Sequence, residues 1–263
     1  AEHPDFDKAV TLFDQGNTEG LATLLKTKPS LVNARGYLDE RYPIARLQGA
    51  SLLHLVVGSE RAPLPDNVRE LMDVMLTLGA DPNALTSNST SVLEGLIDSD
   101  QLKWMGLYQD MLTAAFEHGA DPVPELMWMV LVGKNPRWQG LPEDHFALAH
   151  RLYAAGVAID LPFAVALGQM EEAESFVDEN GLLLPSANTE YRPRMPDSPS
   201  DQEILNISLS YAAYGGQKKA VDWLLQLGAD INARPRGFFR GRSSPRGGST
   251  AIHKAVYADN GHM

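Results

Sequence analysis

The stretch Ala212–Asn232, AAYGGQKKAVDWLLQLGADIN, decides the fold. A helix end is closed by Gly215-Gly216. A second helix, expected over Lys218–Leu227, stops at Gly228 and runs into Ala229-Asp230-Ile231-Asn232. Ala220, Val221, Trp223, Leu224, Leu225 and Leu227 cover more than one face of that helix, as expected when a helix is sandwiched between neighbours. Gly228 suits the left-handed conformation that ends a helix. Asp230 and Asn232 suit a tight turn, because their side chains bond nearby backbone groups.

The same ending recurs along the chain. Gly79-Ala80-Asp81-Pro82-Asn83-Ala84, Gly119-Ala120-Asp121-Pro122 and Gly156-Val157-Ala158-Ile159-Asp160 each close a helical pattern. One helix pair cannot bury its own apolar surface, and stacking several pairs does so. Two stretches mark the start of a unit: Gly49-Ala50-Ser51-Leu52-Leu53-His54-Leu55-Val56 and Gly248-Ser249-Thr250-Ala251-Ile252-His253-Lys254-Ala255.

Both resemble the ankyrin-repeat signature Gly-x-Thr-Pro-Leu-His-x-Ala, and the exits resemble the end of the same repeat. Ser51 and Thr250 take the Thr position, a helix N-cap whose hydroxyl satisfies a free backbone N–H. His54 and His253 take the His position, which in the family ties neighbouring repeats by hydrogen bonds. A third unit keeps Thr90 but has Leu93 where His would be, and a fifth keeps only Pro162 and Ala166. Leu52 and Ala251 replace the Pro, Ile252 the Leu and Val56 the Ala.

The resemblance implies an all-α fold, an ankyrin-repeat solenoid of six to seven helix-turn-helix units with short β-hairpin or loop fingers. It forms a single domain, residues 1–263. The units run over 1–34, 49–84, 89–122, 123–160, 161–184 and 201–233, with an incomplete one over 248–263. Gly79, Gly119 and Gly228 serve as exit glycines. The irregular units and the exit Pro29-Ser30-Leu31-Val32-Asn33-Ala34-Arg35 are similar to bacterial ankyrin proteins.

Periodicity places helices over Phe6–Phe13, Thr18–Lys26, Asn67–Leu78, Trp104–Glu117, Pro124–Val132, Asp144–Ala155 and Glu171–Asp178. Three long inserts interrupt the pattern at 35–48, 185–200 and 234–247. Arg35–Gln48 fits neither period and reads as a long loop. Pro185–Ser200 carries four prolines, which exclude a helix or an inner strand. Asp259-Asn260-Gly261-His262-Met263 resembles the turn that introduces a further helix, so the chain is expected to continue or to be truncated there. It also starts at Ala1 without a methionine.

The net charge of −12 argues against a nucleic-acid-binding body. Arg234–Gly247 carries +5, Arg35–Gln48 carries +1 and Pro185–Ser200 is neutral. The rest therefore carries −18, the net −12 with the inserts' +6 removed. No apolar run approaches the roughly 20 residues of a membrane span. The chain has 0 cysteines, which excludes disulfides, thiolate nucleophiles and cysteine-ligated metal. A reducing cytosol and a periplasm both fit that composition, and a cytoplasmic location is expected.

No enzyme signature is present. Glu171-Glu172 fall in the first turn of a helix, where acids complement the dipole, and Asp39-Glu40 has no partner motif. His145 and His150 lie five apart, off the i, i+4 spacing of helical metal ligands. No metal and no cofactor are expected.

The sharpest candidate is the insert Arg234-Pro235-Arg236-Gly237-Phe238-Phe239-Arg240-Gly241-Arg242. Arginine forks match carboxylates and phosphates, and exposed aromatics anchor interfaces. At an ankyrin finger it would border the concave face where partners bind. Alternatively it folds back on the acidic body with Phe238 and Phe239 packed down. Tyr191 and Arg192 would fall beside it. Tyr37 and Tyr42 sit on the equivalent finger four or five units earlier, some 40 Å away at roughly 10 Å per layer. The expected function is a monomeric, non-enzymatic module that binds another protein. The alternatives are a regulatory or targeting part of a larger enzyme, or a binder of a small anion through the arginines.

Overall fold

The computed structural model describes residues 3–37, 48–58, 63–132, 142–188, 199–235 and 250–259. It divides into two compact units, Ala1–Asp121 and Pro122–Met263.

In the first unit, α1 (Phe6–Asp14) buries Phe6, Ala9, Val10 and Phe13, the i, i+3, i+4, i+7 stripe of an amphipathic helix. Gly16, at φ +65°, turns the chain into α2 (Thr18–Thr27). The Asn17 side chain caps α2 by accepting from the Gly20 N–H at 2.8 Å. The next pair opens with a 3-10 helix, Leu52–Val57, whose six side chains are all buried, and closes with α3 (Val68–Thr77). The third comprises α4 (Val92–Asp98), a short α5 (Asp100–Trp104) and α6 (Tyr108–Glu117). α1, the 3-10 helix and α4 pack side by side in one row, and α2, α3 and α6 in a second row against it.

Three expectations change here. Arg35–Gln48 is not a loop throughout. Its ends form β1 (Arg35–Tyr37) and β2 (Gln48–Ser51), paired antiparallel with a bulge at Gly36/Tyr37. Gly36 lies so close to α1 that an added Cβ would meet the Phe6 ring at 2.1 Å. The helix expected over Trp104–Glu117 is broken, because Gly106 at φ +70° separates α5 from α6. The register of the third unit shifts by one residue. Ser91, not Thr90, caps α4, in a capping box with Glu94. Glu94 therefore stands where His54 stands in the preceding pair.

In the second unit, α7 (Pro124–Val132) packs on α8 (Pro142–Ala154), and α9 (Leu161–Ala166) on α10 (Met170–Glu174). α11 (Asp201–Tyr214) touches α9, α12 (Lys218–Gln226) and α13 (Ala251–Asp259). The sandwiched helix is thus α11, which is buried almost continuously from Ile204 to Tyr214. α12, expected to be covered on several faces, buries only Ala220 and Leu224 among its described neighbours. Gly215 explains the close packing of α11, since a Cβ there would lie 2.1 Å from the Ala166 carbonyl oxygen.

Two boundaries also move. The helix expected over Glu171–Asp178 ends at Glu174. The proline-rich insert opens with a 3-10 turn, Pro185–Ala187, and Ser200 at its end caps α11 in a capping box with Glu203.

Candidate partner-binding edge

Each unit has its own edge, built from the exits of its second helices. Gly79, Gly119, Gly156 and Gly228 have φ of +91°, +86°, +95° and +96°, the left-handed region where a side chain is strained. Past the glycine, an aspartate folds the chain over its own carboxylate. Asp81 Oδ1 accepts from the Asn83 N–H and Asp230 Oδ1 from the Asn232 N–H, each at 2.9 Å. Asp178 does the same for Asn180 at 2.9 Å and for Leu182 at 2.8 Å. Those backbone donors, Leu182 first, hold the Asp178 carboxyl below its usual range. Residues 178–180 therefore form a further exit of the same kind. Its Asp-x-Asn pattern was the available signal, obscured by the lack of a Gly-Ala pair before it.

The Gly79 and Gly119 exits of the first unit are also clamped from the pair before them. Asn33 Nδ2 donates to the Gly79 carbonyl at 2.9 Å, and its Oδ1 accepts from the Asp81 N–H at 2.8 Å. Asn83 grips Gly119 and Asp121 identically, at 2.9 and 2.7 Å. In the second unit the sixth exit is held from its own first helix instead. Gln202 Nε2 donates to the Gly228 carbonyl at 3.0 Å, and Asn206 Oδ1 accepts from the Asp230 N–H at 2.8 Å.

His54 joins two pairs at the base of a finger. Its Nδ1 accepts from the Ser51 N–H at 3.3 Å, so the proton sits on Nε2, which donates to the Thr90 carbonyl at 3.3 Å. The Ser51 hydroxyl lies 3.0 Å from the same Nδ1. Burial, which disfavours the charged ring, pulls the His54 pKa below the ordinary histidine value. Thr90 contributes its carbonyl to that junction and Ser91 the cap. The finger there bridges Leu85 to Ser91, turns through Ser89 at φ +57°, and leans on β2 through the Ser87 N–H to the Gln48 carbonyl at 2.8 Å. In the second unit, Thr250 Oγ1 lies 2.7 Å from Nδ1 of His253, whose side chain is exposed. Lys254, one residue on, is buried, which pulls its ammonium down to about 7. α9, which lacks the signature Thr, uses the buried Asp160 as cap, accepting from the Phe163 N–H at 3.4 Å.

Tyr37 lies on β1. Tyr42, Tyr191, Arg192, Arg236, Phe238, Phe239, Arg240 and Arg242 lie outside the described residues. Among the described residues no group of three or more His, Cys, Asp or Glu is placed to hold a metal ion. No described helix is long and apolar enough to cross a membrane. An open groove on the first pair is lined by Lys8, Leu12, Asn17, Glu19 and Thr23, a mixed polar set suited to a face that meets water.

The clamped Gly-Ala-Asp exits and the finger bridged by His54 define a repeat protein. The family model described as ankyrin repeats (many copies) matches residues 209–263, the stretch that holds the end of α11, α12, the sixth exit and α13. Residues 209–263 carry ankyrin repeats. No curated protein matches the chain.

Proposed function

We propose that this chain is a non-enzymatic module that binds another protein along its fingers and the concave side they border. Ankyrin repeats are in general protein-interaction modules. One observation carries the assignment to this edge. The segments 38–47, 189–198 and 236–249 each fall at the equivalent place in the chain order, between a second helix and the first helix of the next pair. Before 189–198 and 236–249 the exit backbone is already satisfied by the Asx turns of Asp178 and Asp230 and by Gln202 and Asn206. Side chains and inserts are thus what the edge presents to a partner.

On this basis the chain is a monomeric, cytoplasmic solenoid of six to seven units with the boundaries given above. Phe238 and Phe239 with Arg236, Arg240 and Arg242, beside Tyr191 and Arg192, anchor the partner. Tyr37 and Tyr42 serve the earlier finger. The test is a pull-down with the intact chain beside a version whose 234–247 insert is replaced by a short Gly-Asn turn, read by mass spectrometry. Loss of one partner only with the insert supports the assignment. Equal recovery by both versions moves recognition away from the arginine-rich insert.

A further inference from the structure

The fifth exit carries an apolar face that the repeat itself does not use. Residues 176–184 form a miniature hairpin: Val177 bridges Leu183, the Asp178 N–H donates to the Leu182 carbonyl at 2.9 Å, and the Leu184 N–H to the Phe176 carbonyl at 2.9 Å. Side chains alternate across such a ribbon. Leu184 is the cross-strand partner of Phe176 and shares that side of the ribbon with Leu182, opposite to Val177 and Leu183. Phe176 is buried, while Leu182 and Leu184 are 60% and 38% exposed. A single exposed leucine is ordinary, but two on one face of one hairpin form a patch. The patch extends toward the next exit. A Cβ added at Gly181 would touch Leu227 at 3.7 Å, and Ile231 beyond it is 41% exposed.

Across α10 and the hairpin the charge is of one sign. Residues 170–184 contain Glu171, Glu172, Glu174, Asp178 and Glu179 and no Lys or Arg, and Asp230 adds another acid at the neighbouring exit. An aliphatic face in an acidic frame complements a segment that is apolar on one side and cationic on the other. We infer that the hairpin face of Leu182 and Leu184, with Ile231, is a docking site for a cationic amphipathic segment of a partner protein. This rests on the partner-binding function proposed above and names the chemistry of the segment bound.

Fluorescence anisotropy with the full chain tests it, using three labelled synthetic peptides: a leucine–lysine amphipathic helix, its leucine–glutamate counterpart, and a lysine–serine peptide of equal charge. The leucine–lysine peptide is expected to bind alone. Leu182→Ser/Leu184→Ser should weaken it about tenfold, as loss of a buried anchor does. Glu174→Lys/Glu179→Lys should weaken it as well. All four side chains are wholly or partly exposed, and circular dichroism melts verify that the variants fold. Undiminished binding by the double-serine variant, or equal binding of the lysine–serine peptide, would overturn the site. Tighter binding once residues 236–249 are replaced by a short turn would also overturn it, because the chain's own basic insert would then be the occupant. A partner lost with the insert in the pull-down, alongside a peptide indifferent to Leu182 and Leu184, would sink this site and leave the interaction function standing.

Discussion

Nε2 of His54 lies 3.3 Å from the carbonyl oxygen of Thr90, 36 residues along the chain. One neutral imidazole thus joins the 3-10 helix of one pair to the finger of the next. Protonation would place an N–H on Nδ1 facing the Ser51 N–H, two donors in contact.

Stability should therefore depend on pH in a definite direction. The folded-state pKa of His54 is depressed below the unfolded value of 6.5. Above that value both states are neutral and the ring adds no pH dependence. As pH falls below it, the unfolded chain takes up a proton that the folded chain refuses, so stability drops. The expected result is a melting temperature that falls between pH 7 and 5, with a shallower slope in His54→Gln. Identical slopes would assign the pH dependence to other groups. At neutral pH the same variant should lose about 1–3 kcal/mol, the penalty for breaking a buried hydrogen-bonded bridge.

The asparagine clamps predict a coupled loss. Asn83→Ala removes two hydrogen bonds to the Gly119–Asp121 exit and should cost about 1–2 kcal/mol in urea unfolding. Asn83→Asp should be at least as damaging, since its carboxylate would face the Gly119 carbonyl that the amide now bonds. An Asn83→Asp variant as stable as the parent would show that the clamp contributes nothing.

Two glycines separate backbone strain from steric clash. Gly79 has φ +91° and open space where a Cβ would go, so Gly79→Ala should cost about 1–2 kcal/mol from conformation alone. Gly215 has an ordinary φ of −77°, but a Cβ there would strike the Ala166 carbonyl oxygen. Gly215→Ala should then cost about 3 kcal/mol, as overpacking does. Equal losses in thermal melts would mean that α11 and α9 separate easily at that contact.

Asp160 is fully buried at the start of α9, where its carboxylate accepts from the Phe163 N–H. Asp160→Ala should lower stability by about 1–2 kcal/mol, and Asp160→Asn, which keeps an acceptor oxygen, by less. The comparison is made by denaturant midpoint at constant m-value.

Much of this architecture was legible because its cues are local. The glycine exits announce left-handed residues directly, and the apolar spacing of Phe6, Val10 and Phe13 announces α1. Position matching failed where one residue decides the register: Thr90 and Ser91 are both plausible caps, and only Glu94, three residues past Ser91, distinguishes them. The strands beside the first insert were not legible, because Arg35-Gly36-Tyr37 has no alternation and pairs only once Gly36 meets Phe6. The fifth exit lost its glycine but kept Asp178 and Asn180. The apolar face of Leu182 and Leu184 shows only once Val177 is seen to bridge Leu183. Tyr37 is placed on a strand, while the aromatic and arginine anchors proposed for the later inserts lie outside the described residues.

The two ways of holding an exit bear on how such a chain can grow or shrink by duplication. Asn33 and Asn83 each secure the following exit, so a cut between neighbours strands one half of every clamp. The pair containing α11 and α12 carries Gln202 and Asn206 for its own exit and is self-contained in this respect. Its exit, unlike those at Gly79 and Gly119, keeps its clamp when a preceding pair is copied, moved or lost.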